Sequence, residues 1–536
     1  MTVTYTQARD AAQLDRLRPQ VAQFFDRYVD PGPGAGLCRG QTVFFFPGGM
    51  GSRLVRASQK YQEGVGVPAS ASYPAIWPSW DAFFFGGWRK LKIHKDLTGC
   101  FRDHSDRPIV ADGGLKVFGI DPHKGFVLAC ELAGINYFVF GWDWRRRLDE
   151  TRDFFLNTFR PFVQQEAINR GKTDPFLDFS LVGHSLGGMV VNLIARQNPA
   201  GLRKAITVST PAYGYAGQLH RWFEGEPLLT AVEIFLLQMM NLNNLVEAVK
   251  QDMLEVIASM PALYPLHFLD FPTYTANQAA LGLSAYPSSD LASAAVADAY
   301  HPQLNGGLVR YPGNTGFDIG ELNYALAQFQ TLSSPMSPAV ASKFHNIRGI
   351  TTGGTGANTT GSVRWDWISP NYNASGPSPI KDGPDVAGDD TQPAWTTRLL
   401  GANDLPIAHP LIEHACMMND AIVNAALIAI LCPLIPTTFS LKKAQQAAMK
   451  PFGKKKASDK EVQLFLRWVA ENHDKRAEWP SIETAKARSV LPPHLQERIG
   501  DIMRRLYGDL LRGPRAKKPG AKGRSKRRSS KASRKR

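Results

Sequence analysis

The chain has few cysteines, no apolar run of membrane length, and almost no net charge once its last residues are set aside. Its five cysteines, Cys38, Cys100, Cys130, Cys416 and Cys432, are scattered through 536 residues without CxxC spacing. An odd, unclustered set speaks against a disulfide framework and a zinc site, so buried free thiols are expected. Neither a metal nor a cofactor is expected. The longest apolar run, DAIVNAALIAILCPLIP around Ala421–Pro436, carries Asn424 and Pro433. It is shorter than the roughly 20 residues a span requires and reads as a buried core helix. The opening MTVTYTQARDAAQLDRL has no apolar stretch, so no secretory signal is read in it. These absences lead to the expectation of a cytoplasmic protein, peripheral to a membrane at most.

The formal charge of +15 is uneven. Arg512–Arg536 holds thirteen Lys or Arg and no Asp or Glu, leaving about +2 for everything before it. This end is low in complexity and is expected to be disordered. It also lacks aromatic residues after Tyr507. Base stacking is therefore not supported, and specific nucleic-acid recognition is not expected. The cations suit an anionic membrane surface or another polyanion.

What is present is globular: 43% hydrophobic and 20% charged residues. A helix is expected near Thr6–Tyr28, then a Pro/Gly loop to about residue 40. Short apolar runs then read as buried strands: Thr42–Phe46, Asn136–Asp143, Phe179–His184, Lys204–Thr210 and Asn346–Thr352. Helical patterns lie between several of them, notably Asp149–Arg170. Such alternation predicts a mostly parallel sheet covered on both faces, an α/β domain over about 41–440. An inserted cap is expected at about 212–340, a long functional loop over Thr351–Asp390, a helical appendage at 441–511 and the basic tail at 512–536.

Gly183-His184-Ser185-Leu186-Gly187 fits the G-x-S-x-G pattern, with an apolar strand before it and a helix after it. That context places the serine on a sharp strand-to-helix turn, its hydroxyl projecting from the sheet edge and small neighbours relieving the crowding. A serine needs a base, usually a histidine oriented by a carboxylate, and here the chain order is Ser, acid, His. Asp389, in the loop after the Asn346–Thr352 run, is the preferred acid; Asp382, Asp385 and Asp390 are alternatives. His414, just ahead of a helical stretch, is the preferred base, with His409 the alternative. The oxyanion requires two backbone N–H groups. Leu186 supplies one, and the turn Pro47-Gly48-Gly49-Met50-Gly51-Ser52 the other, at Met50 or else Gly49.

These pieces resemble the lecithin:cholesterol acyltransferase family, which includes phospholipases and diacylglycerol acyltransferases. The matching segments are PGGMGSRL (Pro47–Leu54), Asp143-Trp144-Arg145, GHSLGG (Gly183–Gly188), GDDTQP (Gly388–Pro393) and HACMMN (His414–Asn419), in the family's order. The resemblance implies an α/β-hydrolase fold, a triad of Ser185, Asp389 and His414, and an oxyanion turn at Met50 or Gly49. The family's usual G-D-G-T is G-D-D-T here. The segment Ile76–Ile93, with Trp77, Trp80, Phe83, Phe84, Phe85 and Trp88 beside Arg89, Lys90 and Lys92, sits where the family carries its active-site mouth. Such rings suit a lipid–water interface, or equally pack beneath a cap. The expected activity is that of an acyl-ester enzyme on lipids, an acyltransferase or a phospholipase. A second reading is an inactive protein of the same fold that binds anionic surfaces.

Overall fold

The structure, a computed structural model, describes residues 4–31, 40–61, 74–77, 90–96, 101–103, 107–115, 121–214, 256, 259–263, 319–351, 362–364, 367–368, 380–381, 385–389, 391–392, 396–399, 401–409 and 414–432. Most of the expected cap, all of the appendage and basic tail, Trp80–Arg89, Asp382 and Asp390 lie outside the described residues.

The first third of the chain holds helix α1 (Tyr5–Asp26) and strands β1 (Thr42–Phe46), β2 (Ser52–Arg56), β3 (Ala75–Trp77), β4 (Ile93–Lys95), β5 (Phe101–Asp103) and β6 (Ile109–Gly114). Then come helix α2 (Lys124–Ala133), strand β7 (Asn136–Val139), helix α3 (Leu148–Phe154), which runs on through a π turn and a further helix to Asn169, strand β8 (Phe179–His184), helix α4 (Leu186–Arg196) and strand β9 (Leu202–Val208). The last part holds helix α5 (Ile319–Ser333), strands β10 (Phe344–Thr351), β11 (Ser362–Arg364), β12 (Trp367–Ile368), β13 (Ile380–Lys381), β14 (Asp385–Ala387) and β15 (Asn403–His409), and helix α6 (Ala421–Leu431).

Six strands form one sheet in the order β15-β10-β9-β8-β1-β7, and every neighbouring pair is parallel. The burial pattern explains why. Each residue of TVFFF and of FSLVGH is buried, as strands covered on both faces require. Alternation divides β1 between the faces. Phe44 stacks on Phe176 at 4.5 Å and meets Phe155 and Phe159 on one face, while Phe45 meets Phe126 and His123 of the α2 side on the other. The fold is thus α/β, a parallel sheet flanked by helices. Of the expected insertion, α5 packs on α4, where Asn192 and Arg196 donate to the Leu332 carbonyl.

The Asp143-Trp144-Arg145 triplet is part of a buried ion cluster. Arg145 is fully buried and donates to Asp143 (2.6 and 2.8 Å), Asp103 (2.7 Å) and the Leu91 carbonyl (3.1 Å). Arg146 reaches Asp103 at 3.2 Å and the Phe101 carbonyl at 3.0 Å, and the Tyr5 hydroxyl donates to Asp103 at 2.6 Å. Burial alone would raise the Asp103 pKa, but the two guanidinium groups bring it down to about 2. The cluster ties α1 and the β4–β5 hairpin to the C-terminal end of β7.

One expectation is corrected. Cys432 is disulfide-bonded, not a free thiol, whereas Cys130 is free and buried as expected. Five scattered cysteines leave no local spacing from which such a bond could be read. Among the described residues, no helix is long and apolar enough to cross a membrane.

Candidate active site

Ser185 sits between the last residue of β8 and the first of α4 with φ 52° and ψ −127°, a conformation that side chains rarely adopt and that costs about 1–3 kcal/mol. The surroundings enforce it. The Ser185 amide donates to Val208 of the neighbouring strand at 2.9 Å, and the Ser185 carbonyl accepts from Gly188 at 2.9 Å. The flanking glycines are needed for close approach. A Cβ on Gly187 would lie 2.3 Å from the Phe46 and Pro47 carbonyl oxygens, and one on Gly183 would lie 2.6 Å from backbone atoms of Gly187 and Gly188.

The structure brings Ser185, Asp389 and His414 together. Ser185 Oγ lies 2.8 Å from His414 Nε2, and His414 Nδ1 lies 2.7 Å from Asp389 Oδ2. A carboxylate only accepts, so Nδ1–H donates to Asp389 and Nε2 accepts from the serine hydroxyl. Asp389 is fully buried, and its other oxygen accepts from the amides of Gln392 (2.7 Å) and Thr391 (3.2 Å). The His414 amide donates to the Asp389 carbonyl at 2.8 Å, so backbone and ring are both tied to the acid's loop. His414 opens a 3-10 turn, His414–Asn419, whose far end is fixed by Asn419 accepting from the Gly125 amide and by Asp420 capping α6. Of the alternatives, Asp385 is on β14 in register with Arg364, and His409 ends β15 in register with Thr351.

The turn after β1 lies against Ser185. A Cβ on Gly48 would meet Ser185 Cβ at 3.0 Å, and one on Gly49 would meet Leu186 at 3.4 Å. The Gly51 amide closes the turn on the Gly48 carbonyl at 3.0 Å, with Met50 at φ 62°. A non-glycine residue in this left-handed region costs about 1–2 kcal/mol. The Met50 and Leu186 amides donate to no group among the described residues. Two unengaged amides, one on the residue after the serine and one in the turn packed against it, suit what an oxyanion needs.

Two histidines that the motif analysis passed over surround this set. His184 is buried, with its ring 5.0 Å from that of His414 and its Nε2 unpartnered among the described residues. Burial, with His414 and His123 nearby, holds its pKa well below the ordinary value, so it is neutral. It adds no positive charge beside the His414 ring. Only its position as the second residue of G-H-S-L-G marked it in the sequence. His123, also buried, contacts the Gly51 carbonyl at 3.3 Å, and burial pulls its pKa to about 4.

His123 gives a pH prediction. Its folded pKa lies below the unfolded value, so the unfolded chain binds the extra proton and stability falls as pH drops from about 6.5 to 4. The loss from this residue approaches about 3 kcal/mol at pH 4. Urea midpoints measured across this range should decline, and His123→Phe should decline less steeply. Parallel slopes for the two proteins would show that His123 does not titrate on unfolding.

No family model and no curated protein matches the chain. Among solved structures, it is similar to a chain in "The crystal structure of Tle4-Tli4 complex", at 15% identity and a TM-score of 0.39, over 74% of this chain and 99% of that one.

Proposed function

We propose that the chain is a serine enzyme of acyl esters that acts on lipids through an acyl-serine intermediate. The observation that supports this most is the line from Ser185 through His414 to Asp389, at 2.8 and 2.7 Å, with the Leu186 amide and that of Met50 in the adjoining turn unengaged. Ser185 Oγ attacks the ester carbonyl while His414 Nε2 takes its proton. Asp389 holds the ring in its tautomer and stabilises the imidazolium. The carbonyl oxygen becomes an oxyanion held by the Met50 and Leu186 amides. The C–O bond to the leaving alcohol breaks as His414 protonates that oxygen. Water or an acceptor alcohol then repeats the sequence on the acyl-serine and frees Ser185. The motifs that resemble the lecithin:cholesterol acyltransferase family support a lipid acyl donor. Labelling with a fluorophosphonate probe, then product analysis on a phospholipid with and without added alcohol, tests the activity and separates hydrolysis from transfer. No labelling and no ester turnover would favour the reading as an inactive binding protein.

We further propose that the basic end, Arg512–Arg536, tethers the enzyme to anionic surfaces. Each cation near such a surface contributes about 1 kcal/mol, screened beyond roughly 8 Å at physiological salt. Deleting these residues should leave turnover of soluble esters unchanged and reduce co-sedimentation with phosphatidylserine vesicles. Binding by the full chain should fall steeply with salt. Equal binding of both forms at low salt would shift the tether to the aromatic segment Ile76–Ile93, through its rings other than the buried Trp77.

A further inference from the structure

The oxyanion turn is held by indole groups on both sides. Trp142 Nε1 donates to the Pro47 carbonyl at 2.8 Å, just before the turn. Trp77 Nε1 donates to the Met50 carbonyl at 2.9 Å, within it. Trp144 Nε1 donates to the Ser52 carbonyl at 3.3 Å, just after it. All three side chains are buried, and the Trp77 and Trp144 rings meet edge to face at 5.9 Å. The Gly51 carbonyl accepts from the Leu115 amide at 2.8 Å, and the Gly48 carbonyl accepts from Gly51 at 3.0 Å. The acceptors of this turn are therefore anchored one after another, while the Met50 amide donates to no described group. A turn serving only to connect β1 to β2 has no need of such an arrangement. It suits a donor held ready for an external acceptor.

We infer that Trp77 is a positioning residue for the oxyanion hole: its indole N–H grips the Met50 carbonyl and so keeps Met50 in the left-handed conformation that leaves its amide free beside Ser185. Trp77 can do this because β3 pairs with β2 directly after the turn, with Trp77 in register with Leu54. The strained residue needs such a grip. Met50 has φ 62°, where a residue with a Cβ is disfavoured and relaxes if nothing holds its peptide plane. This assigns a role to a ring that composition alone left open between an interfacial anchor and packing beneath a cap. Trp77 is 3% exposed, which removes it from any surface belt.

The inference rests on the serine-esterase proposal and on the Met50 amide as oxyanion donor. Trp77→Phe keeps the ring and its packing but removes the N–H. With a short acyl ester, kcat should fall at least about 10-fold, towards the 10²-fold that losing one oxyanion donor costs, while KM stays within about twofold. The rate of fluorophosphonate labelling should fall in parallel. The decisive comparison is in a Met50→Gly background. Glycine takes positive φ without strain, so the grip matters less and Trp77→Phe should cost less than about threefold there. Equal losses in the two backgrounds, or a loss that falls on KM, would overturn the positioning role, because a general structural defect is indifferent to residue 50. If the unaltered protein neither labels nor turns over an ester, the esterase proposal itself fails and takes this inference with it. An active protein whose Trp77→Phe form is undiminished refutes the inference alone.

Discussion

Ser185→Ala is expected to abolish fluorophosphonate labelling and to lower ester turnover by at least about 10⁴-fold, with the fold retained. No described group offers a second nucleophile at this position, where Oγ is 2.8 Å from the base and the backbone is bent to expose it. The fold should survive because the substitution removes one oxygen and one hydrogen bond. That bond is worth about 0.5–1.5 kcal/mol, and His414 keeps its bond to Asp389. The backbone conformation at residue 185 is set by the Val208 and Gly188 bonds and by the glycines beside it, so alanine inherits it. Circular dichroism and the urea midpoint should therefore stay close to those of the unaltered protein while kcat collapses. Undiminished hydrolysis of a short acyl ester by Ser185→Ala would remove Ser185 from the chemistry.

The strands that carry this serine were legible because both faces of each are buried. TVFFF and FSLVGH have no polar alternation to mislead, and their bounds agree with the sequence expectation to the residue. β15 was not legible. Its sequence, NDLPIAH, begins polar and carries Pro406, which an interior strand would not tolerate. As the edge strand, β15 pairs only with β10, and Pro406 lies opposite Arg348 without breaking a second ladder. The small sheet β3-β2-β6 was also invisible. It is built of short, partly charged runs such as SRLVR and the three-residue AIW, whose pairing depends on long-range contacts. The same reason hid the role of Trp77, whose partner Met50 lies 27 residues earlier.

The candidate triad was legible by a different route. G-H-S-L-G between a strand and a helix marks a nucleophile locally. The acid and the base had to be chosen from several residues by chain order and by the resemblance. Asp389 lies at 2.7 Å from His414, while Asp385 is paired into β14 and Asp382 and Asp390 lie outside the described residues. His184 illustrates what a motif pattern conceals, since the variable position of G-x-S-x-G holds a buried neutral ring against the base.

His414→Ala is expected to lower kcat by at least about 10³-fold, which corresponds to about 4 kcal/mol of transition-state stabilisation, and His409→Ala by far less. His414 is positioned twice, by its amide on the Asp389 carbonyl at 2.8 Å and by Nδ1 on the Asp389 carboxylate at 2.7 Å, so Nε2 faces Ser185 without a search over rotamers. Removing the ring leaves the serine hydroxyl with no acceptor for its proton and leaves Asp389 buried without its main partner. The second consequence affects stability as well as rate, because a buried carboxylate that loses its donor costs about 1–3 kcal/mol or more. Stability alone cannot account for the rate, and added imidazole separates the two effects. In His414→Ala the vacated space lies between Asp389 and Ser185, so free imidazole should restore part of kcat in proportion to its concentration without shifting the urea midpoint to the same degree. His409 is the last residue of the edge strand, and imidazole should leave His409→Ala unchanged. A large loss in His409→Ala with a small one in His414→Ala would move the base to His409 and would require the loop carrying Asp389 to act on a different ring.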